Sequence, residues 1–191
     1  MSHDDMSMTC KIDLAQLTKS IQGFNKTGEG LPVLDDGTGT VDRPRSIVDV
    51  FGDEVHALRE KNPKISDLVV SLLEKLHLSE EQQYLLDGGK MIGDKVDETT
   101  TDQPSYHNQH HIAEVVASSY ILGKRERLPN ARIAELVVAA AAHDLGHTGG
   151  NNSKAYELET LSCEIAIPIL TASGWSIPEV TRLWQMIVAT D

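Results

Sequence analysis

Histidines are concentrated in one part of this 191-residue chain, in a pattern typical of metal ligands. Five of the eight histidines lie between His107 and His147, and His143 is followed directly by Asp144. Imidazole nitrogens and carboxylate oxygens together suit Zn²⁺, Fe, Mn²⁺ or Mg²⁺. A pair of such ions can activate water and hold a phosphoryl group, which is the chemistry of phosphate-ester hydrolysis. We therefore take His111, His143 and Asp144 as candidate metal ligands.

The spacing of these residues favours a shared site over separate surface histidines. His107 and His111 are four residues apart, as are His143 and His147, and this offset places two side chains on one helical face. His143 and Asp144 end a strongly apolar stretch, where an unpaired carboxylate would be costly to bury. Each histidine alone fits a surface or capping role. Together with the aspartate they predict a metal site.

The elements that must position these residues are predicted to be helices. Apolar residues from Ile65 to Leu76 repeat at helical spacing, with Asn62 as N-cap and Pro63 as the first helical residue. Ser79 and Gln82 have the spacing of a capping box that opens the next helix.

Four further helices are predicted along the rest of the chain. One begins just after Pro104 and runs to about Gly123, so that it carries the histidines of residues 107–111 in its first turns. The others cover 133–142, about 154–172, and 177–190. Pro129 and Asn130 cap the 133–142 helix, and Ser176 with Glu179 opens the last. No convincing strand alternation occurs, so the expected fold is an all-α helical bundle.

The N-terminal residues differ in composition from the rest. Residues 1–45 contain a weak amphipathic stretch followed by closely spaced glycine, proline and aspartate, which is typical of a loop-rich arm. Residues 46–191 are predicted to form the all-helical catalytic domain.

Charge and cysteine content narrow the partners. The formal net charge of −12 and the absence of a basic stripe argue against nucleic acid, and an acidic protein that handles a small phosphate ester would need bound cations. No apolar run is long enough for a membrane span. The two cysteines, Cys10 and Cys163, form no disulfide framework or C-x-x-C motif, which favours a cytoplasmic location.

Two segments resemble a known family. Residues 106–111 read Y-H-N-Q-H-H and residues 143–152 read H-D-L-G-H-T-G-G-N-N. They resemble the HD superfamily of metal-dependent phosphohydrolases. More narrowly, they resemble the class I 3′,5′-cyclic-nucleotide phosphodiesterases, whose pattern is Y-H-N-x-x-H followed by H-D-x-x-H-x-G-x-x-N. The likeness continues through Leu158 and Glu159 and into residues 189–191, A-T-D.

The resemblance implies an HD-domain, phosphodiesterase-like bundle with two divalent cations, Zn²⁺ at the first site and Mg²⁺ or Mn²⁺ at the second. It implies that a metal-bridged hydroxide opens a cyclic nucleotide such as cAMP or cGMP to its 5′-monophosphate, with His107 as general acid. It also implies roles for other residues: His111, His143 and Asp144 would bind the first metal, His147, Glu159 and Thr190 would surround the second, and Tyr106, Asn108 and Asn152 would orient neighbours or line the substrate pocket.

Other interpretations stay open. The family's catalytic domain extends beyond its A-T-D motif, so we expect that the chain is a piece of a longer protein or that Asp191 supplies the last ligand. A different HD phosphohydrolase, acting on nucleotide monoesters or ppGpp, would use the same kind of metal site. A regulatory or sensor domain without catalysis would also keep the fold.

Overall fold

The structure is a computed structural model, and it describes residues 63–99, 108–147 and 152–190. The described residues all belong to one compact unit and contain no strand, which confirms the all-α class. Their helices are α1 (Ile65–Glu74), α2 (Gln83–Thr99), α3 (Gln109–Arg125), α4 (Asn130–Ala142), α5 (Glu157–Ala172) and α6 (Ile177–Val188), with a 3₁₀ turn at Glu80–Gln82. The predicted arm of residues 1–45 lies outside the described residues. None of the helices in these ranges combines the length and apolar character of a membrane span.

Helix α4 lies at the centre of the bundle. It contacts each of the other five described helices, and nine of its residues are buried: Ile133, Ala134, Glu135, Val137, Val138, Ala139, Ala140, Ala141 and Ala142. Its alanines let neighbouring helices approach closely, while its isoleucine and valines fill the space between them. Full burial of one such branched side chain contributes about 1.5–3 kcal/mol. This packing fixes the position of the residues that follow Ala142.

Helices α3 and α4 form an antiparallel pair joined by the short segment 126–129. A Cβ on Gly123, near the end of α3, would lie 3.0 Å from the Ile133 side chain near the start of α4. At the opposite end of the pair, the ring centroids of His111 and His143 are 5.4 Å apart. The hairpin therefore brings the first turn of α3 next to the last turn of α4.

The prediction for the start of α1 was wrong by two residues. The helix begins at Ile65, with Lys64 rather than Asn62 at the N-cap, and Lys64 makes no side-chain capping bond. The carboxylate of Asp97 on α2 caps the helix instead. It accepts hydrogen bonds from the backbone N–H groups of Ile65 (2.7 Å) and Ser66 (3.0 Å). Those N–H groups have no acceptor within their own helix, so this distant carboxylate supplies one.

Close contact between α1 and α2 depends on a glycine. A Cβ on Gly93 would lie 2.5 Å from the Ser66 Cα and 2.8 Å from its backbone nitrogen. Backbone atoms cannot give way as a flexible side chain can, so only glycine fits at this crossing.

A buried ion-pair cluster joins α4 to α6. Glu135 on α4 is 3% exposed, and its carboxylate accepts two hydrogen bonds from Arg182 on α6, both 2.8 Å. Arg132 donates to the same two oxygens at 2.9 and 2.7 Å. The two arginines compensate the charge of a carboxylate that would otherwise be costly to bury, so the approach of α4 and α6 at this point depends on keeping both partners.

Both predicted capping boxes are confirmed, with small differences at helix ends. Ser79 with Gln82 forms the first box, which opens a 3₁₀ turn that leads into α2, and Ser176 with Glu179 forms the second, which opens α6. Helix α6 ends at Val188, two residues before the predicted end. Helix α5 begins at Glu157, three residues later than predicted, after Tyr156 in the left-handed region with φ 63°.

The carboxylate of Glu179 also links α6 to α2. It accepts hydrogen bonds from the Ser176 backbone N–H (2.7 Å), the Ser176 hydroxyl (2.6 Å) and the Tyr84 hydroxyl. Burial alone would raise the pKa of Glu179, but these donors and Arg182 lower it below its usual range. Burial and the same contact raise the pKa of Tyr84 to about 12.

We expect Glu179→Gln to reduce the free energy of unfolding at pH 7 by about 0.5–1 kcal/mol, because the partly exposed contact loses its charge. The pKa of Glu179 is lower in the folded than in the unfolded protein. Its contribution is therefore complete above the unfolded pKa and is lost as the pH falls through the folded pKa. Urea unfolding at several pH values should show the difference between wild type and variant shrinking below about pH 4.5. A difference that stays constant from neutral to acidic pH would contradict this account.

Candidate metal centre

His111 is positioned by the first turn of α3. The helix begins at Gln109, and Asn108 is its N-cap, with a side-chain oxygen that accepts from the His111 backbone N–H at 3.0 Å. The prediction that this helix starts just after Pro104 is therefore wrong. His107, which was predicted to share a helical face with His111, lies outside the described residues.

His143 and Asp144 are positioned by the end of α4. His143 is the C-cap residue, and the chain then turns through Asp144 and the buried Leu145 to Gly146, which has a left-handed φ of 78°. The backbone N–H of His147 donates to the Asp144 carbonyl at 3.0 Å, which closes the turn. His143 and His147 are therefore separated by a turn and do not share a helical face. The prediction that α4 delivers the His-Asp pair at its end is confirmed.

Three candidate ligand atoms converge at the open end of the α3–α4 hairpin. The Nε2 atoms of His111 and His143 are 3.3 Å apart. The Oδ2 atom of Asp144 lies 3.1 Å from the His143 Nε2 and 3.6 Å from the His111 Nε2. His143 Nδ1 is 2.7 Å from the Ala140 carbonyl, which can only accept, so in the neutral ring Nδ1 carries the proton and Nε2 is the ligand atom.

This arrangement fits a divalent cation. Zn²⁺ binds imidazole nitrogen and carboxylate oxygen at about 2.0–2.1 Å, so tetrahedral ligand atoms lie about 3.3 Å from one another. The three distances bracket that value, and the three ligand atoms all lie within 4.8 Å. Asp144 is only 7% exposed, and a cation would compensate its buried charge. Among the described residues, these three are the group that could hold a metal ion.

Protonation of His143 is coupled to Asp144. Burial by itself would lower the pKa of the imidazole, whereas the hydrogen bond and charge of Asp144 and the Ala140 carbonyl raise it above its ordinary value. A proton and a metal ion therefore compete for the His143 Nε2 lone pair.

A cavity of about 450 Å³ opens over the three ligand atoms. It is lined by His111, Val115, His143, Asp144, His147, Glu159 and Thr190. Its volume falls in the range of small-molecule sites, about 300–1,000 Å³. Six of its seven lining residues were singled out from the sequence, and Val115 was missed. Its position four residues after His111 on the same helical face was the available signal.

The comparison with known proteins agrees with this geometry. Residues 106–172 match the family model of the 3′5′-cyclic nucleotide phosphodiesterases. The resemblance is confirmed over this segment. It covers about a third of the 191-residue chain and includes α3, α4 and α5. No curated protein and no solved structure is similar enough to the chain to count as a match.

The phosphodiesterase match supports a hydrolase of the phosphodiesterase type and a dependence on metal ions. The matched segment contains His111, His143, Asp144 and Glu159, whereas Thr190 lies beyond it. The metal dependence of such domains agrees with the His-Asp cluster.

Two asparagines of the phosphodiesterase-like segment hold their neighbours. Asn108 caps α3 through the His111 backbone. Asn152 donates to the Glu159 carboxylate at 2.9 Å and accepts from the Leu158 backbone N–H at 2.9 Å. It therefore fixes both the start of α5 and the direction of the Glu159 side chain.

The Thr190 hydroxyl donates to the Ile187 carbonyl at 2.6 Å. Tyr106, His107 and Asp191 lie outside the described residues.

Proposed function

We propose that this protein is a metal-dependent hydrolase that opens a 3′,5′-cyclic nucleotide, cAMP or cGMP, to the nucleoside 5′-monophosphate. The observation that carries the proposal is the convergence of His111, His143 and Asp144 within 4.8 Å, in a segment that matches the phosphodiesterase family.

The ligand set favours two cations of different character. His111, His143 and Asp144 would hold the first, and two imidazoles with one carboxylate suit Zn²⁺. Asp144 would be shared with the second cation, for which His147, Glu159 and Thr190 form the surroundings. An oxygen-rich site of this kind suits Mg²⁺ or Mn²⁺, which commonly retain several waters.

The charge of the cavity supports the need for cations. Asp144 and Glu159 both line it, and the chain has a formal net charge of −12. A phosphodiester anion would be repelled by this surface unless bound cations offset the repulsion. When bound, two divalent ions would lower the pKa of water and neutralise the charge that develops at phosphorus.

The residues of the chain would supply positioning and a proton. Water adds to phosphorus, the bond between phosphorus and O3′ breaks, and O3′ must gain a proton as it leaves. We assign this proton to His107, the motif histidine that we do not count among the ligands. Asn108 and Asn152 would hold His111 and Glu159 in place, through the contacts described above. Tyr106 would line the substrate pocket.

The proposed substrate is a small molecule and not a nucleic acid, because the acidic chain offers no basic stripe for a phosphate backbone.

We also propose that the protein works in a reducing cytoplasm. The described cysteine, Cys163, is free and buried, and burial raises the pKa of its thiol to about 12, which agrees with a packing role.

Removal of metal is expected to eliminate hydrolysis. Protein purified without chelator should contain bound divalent metal, as measured by inductively coupled plasma mass spectrometry. Dialysis against EDTA should lower the rate of cAMP or cGMP hydrolysis at least about 100-fold, and Zn²⁺ followed by Mg²⁺ or Mn²⁺ should restore it, because a bound cation lowers the pKa of water by many units.

The substrate panel separates this proposal from its rivals. It should include cAMP, cGMP, nucleoside monophosphates and ppGpp, each assayed with Zn²⁺, Mg²⁺ and Mn²⁺. Hydrolysis of monoesters or ppGpp without any hydrolysis of cyclic nucleotides would show a different phosphohydrolase. Bound metal with no hydrolysis of the whole panel would favour a sensor domain.

A further inference from the structure

Ser162 on α5 contacts the turn that carries the His-Asp pair. It is 1% exposed, and its Oγ lies 2.7 Å from the His143 carbonyl oxygen and 2.9 Å from the Leu145 carbonyl oxygen. The Oγ also lies 3.1 Å from the carbonyl of Leu158 in its own helix. The shortest contact is therefore with another element, not with the local helix backbone.

The two distant carbonyls flank Asp144 in the chain. They follow the last residue of α4, where carbonyl groups have no backbone N–H of the same helix to accept from. A serine hydroxyl carries one proton, which these oxygens share. Ser162 thus holds the backbone on both sides of Asp144 against α5, and this limits how far the Asp144 carboxylate can move.

Glu159 lies one helical turn before Ser162 on α5. Residues three apart on a helix are neighbours on one face, so Glu159 and Ser162 both face the turn after α4. Glu159 lines the cavity with Asp144, and Asn152 holds its carboxylate at 2.9 Å. The contact of Ser162 with the turn therefore sets the separation between a carboxylate of the turn and a carboxylate of α5.

We infer that Ser162 is a positioning residue that sets the separation of Asp144 and Glu159 and thereby the affinity for the second divalent cation. The inference rests on the proposed function, in which these two carboxylates border that cation. Ser162 itself would touch neither metal nor substrate.

The test is a Mn²⁺ titration of the full chain. Binding is measured by calorimetry and, independently, by the electron paramagnetic resonance signal of free Mn²⁺. Wild-type protein should bind two Mn²⁺ ions. In Ser162→Ala the affinity of the weaker site should fall about 10- to 100-fold, as for loss of a group that orients a metal ligand, while the tighter site changes little.

Ser173→Ala is the matched control. Ser173 follows the same helix, and its hydroxyl donates to the Leu170 carbonyl at 2.8 Å, so the variant loses a comparable bond away from the cavity. Both Mn²⁺ affinities should stay within about twofold of wild type. Ser162→Thr keeps the hydroxyl and should restore most of the lost affinity.

The outcomes separate the two proposals. A wild-type chain that binds no Mn²⁺ would refute the proposed function. Two-site binding by wild type with unchanged affinities in Ser162→Ala would overturn the role of Ser162, as would an equal loss at both sites. If Ser162→Ala does not fold, Ser162→Cys replaces the hydroxyl with a weaker donor. Its weaker site should then lose affinity at least about threefold, and unchanged affinity would overturn the inference.

Discussion

Replacing Asp144 with asparagine is expected to lower kcat/KM for cyclic-nucleotide hydrolysis at least about 1,000-fold, equivalent to about 4 kcal/mol of transition-state stabilisation. The Asp144 carboxylate lies 3.1 and 3.6 Å from the Nε2 atoms of His143 and His111. An amide is neutral there and binds a divalent cation weakly, so the charge that favours both cations is lost. Steady-state kinetics and measurement of bound metal on the same sample check the expectation.

The matched control is Asp94→Asn, the same chemical change at a half-exposed position of α2. Asp94 pairs with Lys90 at 2.7 Å on the helix surface, where an ion pair contributes about 0–1 kcal/mol. Its kcat/KM and metal content should equal those of wild type within about twofold, because it lies outside the cavity. Full activity and full metal content in Asp144→Asn would remove Asp144 from the site.

Local signals predicted much of the fold because they act within a few residues. The capping boxes of Ser79 with Gln82 and Ser176 with Glu179 need only residues three apart, and both are present. The start of α1 differs because its cap comes from Asp97, more than thirty residues away. At α3, the sequence predicted a start just after Pro104, whereas the helix begins at Gln109, where the Asn108 side chain caps it by accepting from the His111 backbone N–H.

The part of the candidate site that depends on the pairing of α3 with α4 was predictable from the sequence. A short connection between α3 and α4 favours an antiparallel hairpin, and two helices of similar length then bring His111 beside His143. Val115 follows from helical spacing once His111 is assigned. Ser162 does not, because its role depends on how α5 packs against the turn after α4. No periodic or capping signal encodes that contact.

His107→Ala is expected to keep both metal ions and lower the turnover of cyclic nucleotides by about 10²–10⁴-fold, the usual contribution of a positioned acid or base. The residue lies outside the described residues, and its assignment rests on its place in the Y-H-N-x-x-H pattern. The reason for the effect is chemical. An alkoxide leaving group such as O3′ is a strong base and departs slowly unless it receives a proton.

A substrate with a better leaving group distinguishes a proton donor from a residue that acts in binding or folding. A p-nitrophenyl phosphodiester releases a phenolate that needs no proton, so the loss caused by His107→Ala should shrink to about tenfold or less with that substrate. His110→Ala is the matched control, because His110 is an exposed residue of α3 outside the cavity. It should retain wild-type rates with both substrates. An equal loss with both substrates in His107→Ala would assign that histidine to binding or folding and would leave the leaving group without an identified proton donor.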